Sequence, residues 1–189
     1  MTSQYTNFNI YITKILKIVH PGANLKNSSR SLLNKFLVDL SQRLADATFD
    51  LNKSSKRKTV SALDVYSAAQ LLLNVSLAKH TVTAMNKNVN KAIAMRKRGE
   101  SVTNKTFPIP ITRARSFLTL KSERVTANAG VAFSAFLEYI ISEILELAGN
   151  VARDEKRVAI SPHHISKAID TDEELARLSK TMNFLVLGN

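Results

Sequence analysis

One motif, Lys56-Arg57-x-x-Val60-Ser61-x-x-x-Val65-x-x-Ala68, occurs a second time as Lys156-Arg157-x-x-Ile160-Ser161-x-x-x-Ile165-x-x-Ala168, with every matched position shifted by 100 residues. The same register continues upstream in the pairs Phe36 and Phe136, Leu37 and Leu137, Leu40 and Ile140, and Leu44 and Ile144. Apolar residues at positions i, i+1, i+4 and i+8 share one face of a helix. The chain therefore contains one small helical unit twice, and each copy has a basic pair after its long helix.

The composition narrows the class of protein. A chain of 189 residues with 44% hydrophobic residues can form one domain or two small ones. Because there is no cysteine, disulfides and thiolate metal sites are excluded, and a reducing compartment is expected. No apolar run approaches the roughly 18 to 20 residues that span a bilayer, and residues 1–9 are too polar for a secretory signal. We expect a soluble intracellular protein that does not enter membranes.

The net charge of +12 is unevenly distributed along the chain. Residues 1–90 have a net charge of +8, residues 91–115 of +6 and residues 116–189 of −2. A basic front and middle are typical of a protein that binds a polyanion. The acidic last part is expected to have another role.

Scarce glycine and proline and the lack of β-branched alternation predict an almost entirely helical chain. In the first half, helices are predicted over residues 11–19, 28–52, 61–73 and 77–89. His20-Pro21-Gly22 ends the first helix, Asn27 or Ser28 caps the second, and Ser61-x-x-Asp64 resembles a capping box for the third. The predicted core face of the long helix comprises Leu33, Phe36, Leu37, Leu40, Leu44, Ala47 and Leu51.

The second half has the same plan. Helices are predicted over residues 112–120 and 126–153, followed by a helix that Ser161-Pro162 begins and a last short helix with the capping box Thr171-x-x-Glu174. The predicted core face of its long helix comprises Phe133, Phe136, Leu137, Ile140, Ile144, Leu147 and Val151. Neither half can bury its long helix alone, so the two halves must pack together. Residues 92–110, with Met95-Arg96-Lys97-Arg98-Gly99 and two prolines, are predicted to be a basic linker.

Residues 1–91 resemble histone 2B. The matching motifs are Tyr11-x-x-Lys14-x-Leu16-Lys17-x-Val19-His20-Pro21, Lys56-Arg57-x-Thr59, Leu71-Leu72-Leu73 and Leu77-Ala78-Lys79-His80-x-Val82. Residues 111–189 resemble histone 2A. Their motifs are Leu137-Glu138-Tyr139, Glu143-x-Leu145-Glu146-Leu147-Ala148-Gly149-Asn150-x-Ala152-Arg153-Asp154 and Asp172-Glu173-Glu174-Leu175. The chain thus resembles a fused histone 2B–histone 2A doublet of the kind found in giant DNA viruses.

This resemblance implies an all-α fold in which two tandem histone folds pack as an intramolecular handshake pseudo-dimer. It also implies a short C-terminal docking tail, here residues 181–187, and a structural DNA-packaging function. The implied partners are double-stranded DNA and histone 3/4-like proteins, themselves expected to be a doublet. A viral chain would be located in the virion, the viral factory or the host nucleus, and a cellular one in chromatin.

In the histone family, loop pairs and helix N-termini meet successive phosphates, which lysine, arginine and unpaired N–H groups attract. The resemblance implies that Lys26, Asn27 and Ser28 lie near Lys156 and Arg157. It likewise implies that Lys121 and Arg124 lie near Lys56, Arg57 and Thr59. Arg57 and Arg113 match the arginines that enter the minor groove in the family. As a loop residue, Arg57 is expected to contribute to DNA binding and little to the fold.

The sequence departs from the family pattern at two of these loops. Ala159 occupies the position of a histone 2A arginine, so either Arg157 replaces that contact or the contact is lost. Two residues are also missing before Lys121 relative to the family. Taken alone, one basic loop fits a solvated turn better than a DNA contact, whereas two related loops within a histone pattern favour the DNA contact.

A second group of residues matches the histone 2A acidic patch, which is expected to bind basic peptides. Its members are Glu138, Glu143, Glu146, Asp172, Glu173 and Glu174. The alternative interpretation is a set of exposed carboxylates and helix caps. Because Ser76 and Ala84 occupy the positions of two histone 2B acids, we expect a weaker patch.

No catalytic or cofactor site is predicted. His163-His164 are adjacent in sequence, do not converge on one ion and fit the start of a helix better than a metal site. The chain contains no recognisable nucleophile–base set, phosphate loop or nucleotide fingerprint, so we expect a non-enzymatic protein without cofactors. The competing hypothesis is a histone-fold regulator of transcription that acts mainly through protein interactions.

Overall fold

A computed structural model describes residues 6–103 and 106–182 of the chain. The elements of the first half are α1 (Asn9–Val19), β1 (Asn24–Leu25), α2 (Asn27–Ser54), α3 (Ala62–Leu72) and α4 (Val75–Lys97). Those of the second half are α5 (Ile111–Thr119), α6 (Ala127–Asp154), β2 (Ala159–Ile160), α7 (Pro162–Thr171) and α8 (Glu173–Thr181). The predicted short–long–short plan of each half is confirmed. None of the helices in the described ranges is long and apolar enough to cross a membrane.

The described residues form two compact units, and each unit contains elements of both sequence halves. Unit 1 comprises the residues up to Asp39 and those from Ile140 onward, and unit 2 comprises Leu40–Tyr139. In unit 1, β1 pairs in parallel with β2. In unit 2, Val60 of the first half forms a parallel bridge with Val125 of the second. This exchange of elements is the handshake arrangement that the resemblance implies.

The core faces of the long helices lie close to the predicted ones. Leu33, Leu40 and Leu44 are buried in α2, and their equivalents Phe133, Ile140 and Ile144 are buried in α6. The predicted inward positions in the last two turns of each helix are wrong, since Ala47, Leu51, Leu147 and Val151 are only half-buried. Thr48, Asn52, Ala148 and Ala152 are buried in their place. The buried positions advance here by four residues per turn, which exceeds the helical period of 3.6, so the buried face turns around the helix toward its C-terminal end.

Helix α4 extends well beyond the predicted end at Val89. Met85, Val89 and Ala92 are all buried, so the apolar face continues at helical spacing into the segment predicted as a linker. The helix ends at Lys97, and Gly99, which follows the C-cap Arg98, has a φ of +74°, a conformation that glycine adopts without strain. The Glu100 N–H then donates to the Met95 carbonyl at 2.9 Å, which is typical of a Schellman motif.

The end of the predicted linker is also part of unit 2. Phe107 and Ile109 are buried, and the Ser134 hydroxyl donates to the Ile109 carbonyl at 2.6 Å. Residues 92–110 are therefore helical at one end and packed against α6 at the other. The boundaries at residues 91 and 111 stay predictions. The docking tail falls mostly on residues 183–187, which lie outside the described ranges.

Ser61 caps α3 in a capping box with Asp64, as the sequence predicts. The predicted cap of α2 is wrong by one residue, because the helix already includes Asn27, whose side chain accepts from Arg30.

At the C-terminal end of the chain, the predicted capping box of Thr171 and Glu174 is wrong. Asp172 caps α8 instead, since its carboxylate accepts from the N–H groups of Glu174 and Leu175. The Thr171 hydroxyl bonds back to the Lys167 carbonyl at 2.8 Å.

We predict that Leu40→Ala or Ile140→Ala lowers the free energy of unfolding by about 2 to 5 kcal/mol, because either change leaves a cavity in a closely packed interior. Leu40 is 1% exposed and Ile140 fully buried. Ile18→Ala is the control, since Ile18 is 65% exposed and its truncation removes little buried surface. Urea denaturation of the three variants checks this. Equal stability of all three would contradict the assigned core.

Candidate nucleic-acid interface

The loop before α2 and the loop after α6 pair through their main chains in unit 1. The Asn24 N–H donates to the Val158 carbonyl at 2.9 Å, and the Lys26 N–H donates to the Ile160 carbonyl at 3.1 Å. The buried Ser29 hydroxyl adds a bond of 2.9 Å to the same Ile160 oxygen. The two loops therefore pair as predicted, with Lys26 bonded to Ile160. The proximity of residues 26–28 to Lys156 and Arg157 themselves, and their role in DNA binding, stay predictions.

This loop pair brings positive charge to a helix N-terminus. Asn27 and Ser28 form the first turn of α2, where backbone N–H groups have no partner within the helix and attract anions. Next to the loop pair, a hollow is lined by His20, Pro21, Gly149, Arg153, Lys156 and Arg157 among others. Ala159, which occupies the position of the family arginine, lies in β2. Arg157 lies in the loop two residues before it, and its replacement of that arginine stays a prediction.

A histidine holds the first loop of unit 1 against α6. The His20 Nε2 atom lies 2.9 Å from the carbonyl oxygen of Glu146. A Cβ at Gly149 would come within 2.2 Å of the His20 ring, so the glycine is needed for this close approach. The sequence predicts only that His20 lies at the end of the first helix, and nothing near it in the chain identifies Glu146 as its partner.

The equivalent loops of unit 2 pair in the same way. The Val60 N–H donates to the Arg124 carbonyl at 2.8 Å, and the Thr126 N–H donates to the Val60 carbonyl at 2.9 Å. The adjoining hollow is lined by Asn52, Arg57, Lys58, Lys121 and Arg124 among others. Lys121 also forms an ion pair with Asp46 of α2. The structure therefore brings Lys121 and Arg124 to the loop of Lys56, Arg57 and Thr59, as predicted.

The two loop lysines have an unusual backbone conformation. Lys56 has a φ of 53° and Lys156 a φ of 57°, both in the left-handed region. In each case the N–H of the following residue donates a hydrogen bond to a carbonyl of the long helix. The Arg57 N–H donates to the Asn52 carbonyl at 3.2 Å, and the Arg157 N–H donates to the Ala152 carbonyl at 2.8 Å. This conformation costs an L-residue about 1 to 2 kcal/mol. Both copies thus keep a lysine where glycine would be less strained.

Arg57 has a structural role, so the expectation that it contributes little to the fold is wrong. Its guanidinium pairs with the carboxylate of Asp64, whose side chain is fully buried. The other oxygen of Asp64 accepts from the Ser61 N–H at 2.8 Å and so caps α3. The side chain of Arg57 keeps 44% of its surface exposed, so it fixes the helix cap and still presents charge to solvent.

The second copy has different chemistry at this position. His164 replaces Asp64, and its Nδ1 atom accepts from the Ser161 N–H at 3.1 Å. Its Nε2 atom lies 3.1 Å from a Glu155 oxygen, and the other Glu155 oxygen accepts from Lys167 at 2.9 Å. Lys167, followed by the two histidines, lowers the pKa of Glu155. Within the described residues no group of three metal-ligating side chains occurs, and His164 serves as a helix cap.

Helix α5 contributes two arginines to unit 2. Arg113, the predicted minor-groove residue, is partly exposed in the first turn of α5. Sequence reasoning missed Arg115, which donates to the Val125 carbonyl at 2.8 Å and so ties α5 to the loop pair. The absence of a side chain at Gly130 allows this approach, since a Cβ there would lie 3.1 Å from Arg115.

The predicted acidic residues belong to both units. Glu138 belongs to unit 2, whereas the other five belong to unit 1. Burial raises the pKa of Glu138 to about 7, against a smaller lowering by Lys91. This carboxyl is therefore only partly charged near neutral pH. Glu146 and Glu173 are exposed, and Asp172 is engaged as the α8 cap.

We predict that Arg57→Ala lowers the free energy of unfolding by about 1 to 3 kcal/mol, since it leaves the buried Asp64 carboxylate without its cation. In an Asp64→Asn background the loss of Arg57 should cost clearly less, because no buried charge is then left without a partner. The cap of α3 is kept in this background, since the amide oxygen can still accept from the Ser61 N–H. A double-mutant cycle by urea denaturation measures this coupling. Additive effects would show that the ion pair contributes nothing to stability.

We also predict that Lys56→Gly and Lys56→Val weaken the binding of duplex DNA equally but differ in stability. Glycine accepts the left-handed conformation, so the free energy of unfolding of Lys56→Gly should lie within about 1 kcal/mol of that of the unmodified protein. Valine is β-branched and should lose roughly 1 to 2 kcal/mol more than glycine. Thermal melting compares the two, and equal stabilities would contradict the left-handed backbone.

Comparison with known proteins identifies the family. The model for the core histone domain, shared by histones 2A, 2B, 3 and 4, matches residues 87–171. The model for histone-like transcription factors (CBF/NF-Y) and archaeal histones matches residues 11–69.

Three relatives illustrate the range of similarity. The chain is 32% identical to the histone 2B–histone 2A doublet of Melbournevirus over 173 residues, which cover 89% of this chain and 64% of that protein. It is 49% identical to a probable histone 2A of Oryza sativa subsp. indica over 75 residues, or 39% of this chain and 56% of that protein. The chain thus spans less than two thirds of the length of either relative.

A solved structure has the same fold. The crystal structure of the histone from Methanopyrus kandleri matches with a TM-score of 0.59 at 15% identity, and the match covers 85% of this chain and 91% of that one. The chain belongs to the histone family and carries two histone folds in tandem.

Proposed function

We propose that this protein packages double-stranded DNA as a fused histone 2B–histone 2A pair, together with a histone 3/4-like partner. The main support is the pairing of a basic loop from one half with a helix-start loop from the other, once in each unit. Lysine and arginine at such loops neutralise phosphates and release counterions without reading bases. The name of the Melbournevirus relative, a histone doublet, fits the same order of halves.

The surface of α3 supports the proposed protein partner. The histone 4 contact implied by the resemblance falls on residues 48–73. Within this range Leu63 is 60% exposed and Leu71 is 68% exposed. Two exposed leucines on one short helix are a surface that a partner helix can cover. Ser54 and Ala47 replace a tyrosine and a glutamate of the family, so the contact should be weaker than in a cellular nucleosome.

The exposed acids, such as Glu146 and Glu173, repel DNA and therefore suit basic peptides better.

The proposed function also implies a location. A viral packaging protein would be located in the virion, the viral factory or the host nucleus.

The alternative function is a regulatory histone-fold subunit. One observation favours it, since the first half matches the model shared by CBF/NF-Y transcription factors and archaeal histones. Nuclease digestion of reconstituted complexes separates the two functions. Regular protected DNA fragments support packaging, and their absence supports the regulator.

We predict sequence-independent and steeply salt-sensitive DNA binding. If roughly 6 to 10 phosphates are neutralised, affinity should fall by ~10³ to 10⁵ between 50 and 200 mM salt. Fluorescence anisotropy with two unrelated duplexes of equal length measures this. A strong preference for one duplex that persists at high salt would contradict the proposed function.

We also predict that this chain and DNA form a discrete particle only when a histone 3/4-like doublet is present. The melting temperature of this particle should be lower than that of a cellular nucleosome. Leu71→Gln should reduce particle formation by weakening the α3 contact, while leaving the melting of the free chain unchanged. Ile18→Gln is the control, because Ile18 has a similar exposure, 65% against 68% for Leu71, on a different helix. Sedimentation velocity and thermal melting give the readouts. A stable particle from this chain and DNA alone would disprove the need for the partner.

A further inference from the structure

Helix α4 presents one exposed face that is basic along its length. This face, termed the α4 face, consists of Lys79, Thr83, Asn86, Lys87, Asn90 and Lys97, all of which are exposed. Leu77, Thr81, Met85, Val89 and Ala92 are buried, so the lysines point away from the packed side of the helix. At 1.5 Å per residue the face extends for roughly 27 Å.

The charge of this helix has a single sign. No aspartate or glutamate occurs in Val75–Lys97, and within the described residues none of Lys79, Lys87 and Lys97 has an ion pair. Exposed helices of soluble proteins commonly mix both signs, since oppositely charged pairs at i and i+4 stabilise a helix and like charges destabilise it. The attraction of the helix dipole explains basic residues only in the last turn, which contains Arg96 and Lys97. Helix stability therefore does not explain Lys79 and Lys87.

The second copy shows that the histone repeat does not require this face. Helix α8, the equivalent of α4 in the sequence register, has nine residues and begins with Glu173 and Glu174. Helix α4 has 23 residues, and its additional turns carry Lys87, Lys91 and Lys97. The basic extension is a feature of the first copy alone.

The chemistry of the face favours a phosphate backbone over a protein partner. Protein interfaces are poor in lysine and depend on buried aromatic or aliphatic anchors. From Lys79 to Arg98 no large hydrophobic side chain is exposed. The face instead combines ammonium groups with the amides of Asn86 and Asn90, and both kinds of group bind phosphate oxygens.

We propose that the α4 face is a further DNA-binding surface, distinct from the two loop pairs, which holds duplex DNA through phosphate contacts of Lys79, Lys87 and Lys97. Lys91 is not included, because its ammonium lies over the Phe107 ring at 5.5 Å and near Glu138. The inference does not depend on the loops being DNA sites, since none of their residues belongs to α4. It gives the protein a means of contacting more DNA than the loop pairs hold.

The test compares four forms of the full chain by fluorescence anisotropy with a 30-base-pair duplex at salt concentrations of 50 to 200 mM. They are the unmodified protein, Lys79→Gln/Lys87→Gln, a control Lys35→Gln/Lys180→Gln, and a loop variant Lys56→Gln/Lys156→Gln. The control loses the same charge from exposed lysines on α2 and α8. Glutamine and lysine have similar helix propensities, and circular dichroism melting verifies that all four forms fold.

We expect the slope of log affinity against log salt to be smaller by roughly 2 in the α4 variant than in the control, or about tenfold less affinity lost over this salt range. Equal slopes in the α4 variant and the control would overturn the inference. If the loop variant alone has a reduced slope, the proposed function stands and the inference fails. If the α4 variant alone has a reduced slope, the inference stands and the proposed loop interface fails.

A second titration with poly-L-glutamate tests for an acidic protein partner. Loss of poly-L-glutamate binding in the α4 variant, with DNA binding equal to that of the control, would assign the face to an acidic protein and overturn the inference. Loss of DNA binding with the expected change in slope supports it.

Discussion

Main-chain pairing between the loop before one long helix and the loop after the other determines where the functional groups of this protein lie. In unit 1 the bonds join Asn24 to Val158 and Lys26 to Ile160, and in unit 2 they join Val60 to the residues on both sides of Val125. Backbone bonds do not depend on the side chains, so lysine and arginine can vary around them without loss of register. Each pairing also sets basic side chains beside one another, although their mutual repulsion opposes this. The arrangement is favourable once a polyanion neutralises them.

Sequence reasoning was most successful where one local rule determined the outcome. The two long helices begin and end within two residues of their predicted limits, because their apolar period is long and regular. The Ser61 and Ser161 caps were also found from local motifs. The proximity of the loops came instead from the family resemblance, since nothing in either loop alone indicates its partner.

The errors have a common cause in contacts between residues far apart in sequence. The extension of α4 depends on buried Ala92 and on Arg96, which donates to Asn128 of α6. Arg115 has a neutral carbonyl as its partner, and no motif marks such an acceptor. The raised pKa of Glu138 arises from burial, which a match to an exposed family position does not reveal. Its partial neutralisation distinguishes it from the exposed acids Glu146 and Glu173.

The two copies have also diverged in how they hold their loop arginines. In the first copy the buried Asp64 carboxylate caps α3 and fixes the guanidinium of Arg57 at the edge of the loop pair. In the second copy the cap is the imidazole of His164, whose other nitrogen is engaged by Glu155, so position 164 offers no carboxylate to Arg157. A guanidinium held in one orientation can match the geometry of a groove or a phosphate, whereas one without such a support contributes mainly its charge. Unit 2 is therefore the better candidate for a geometrically defined DNA contact, and unit 1 for a contact that depends chiefly on electrostatic attraction.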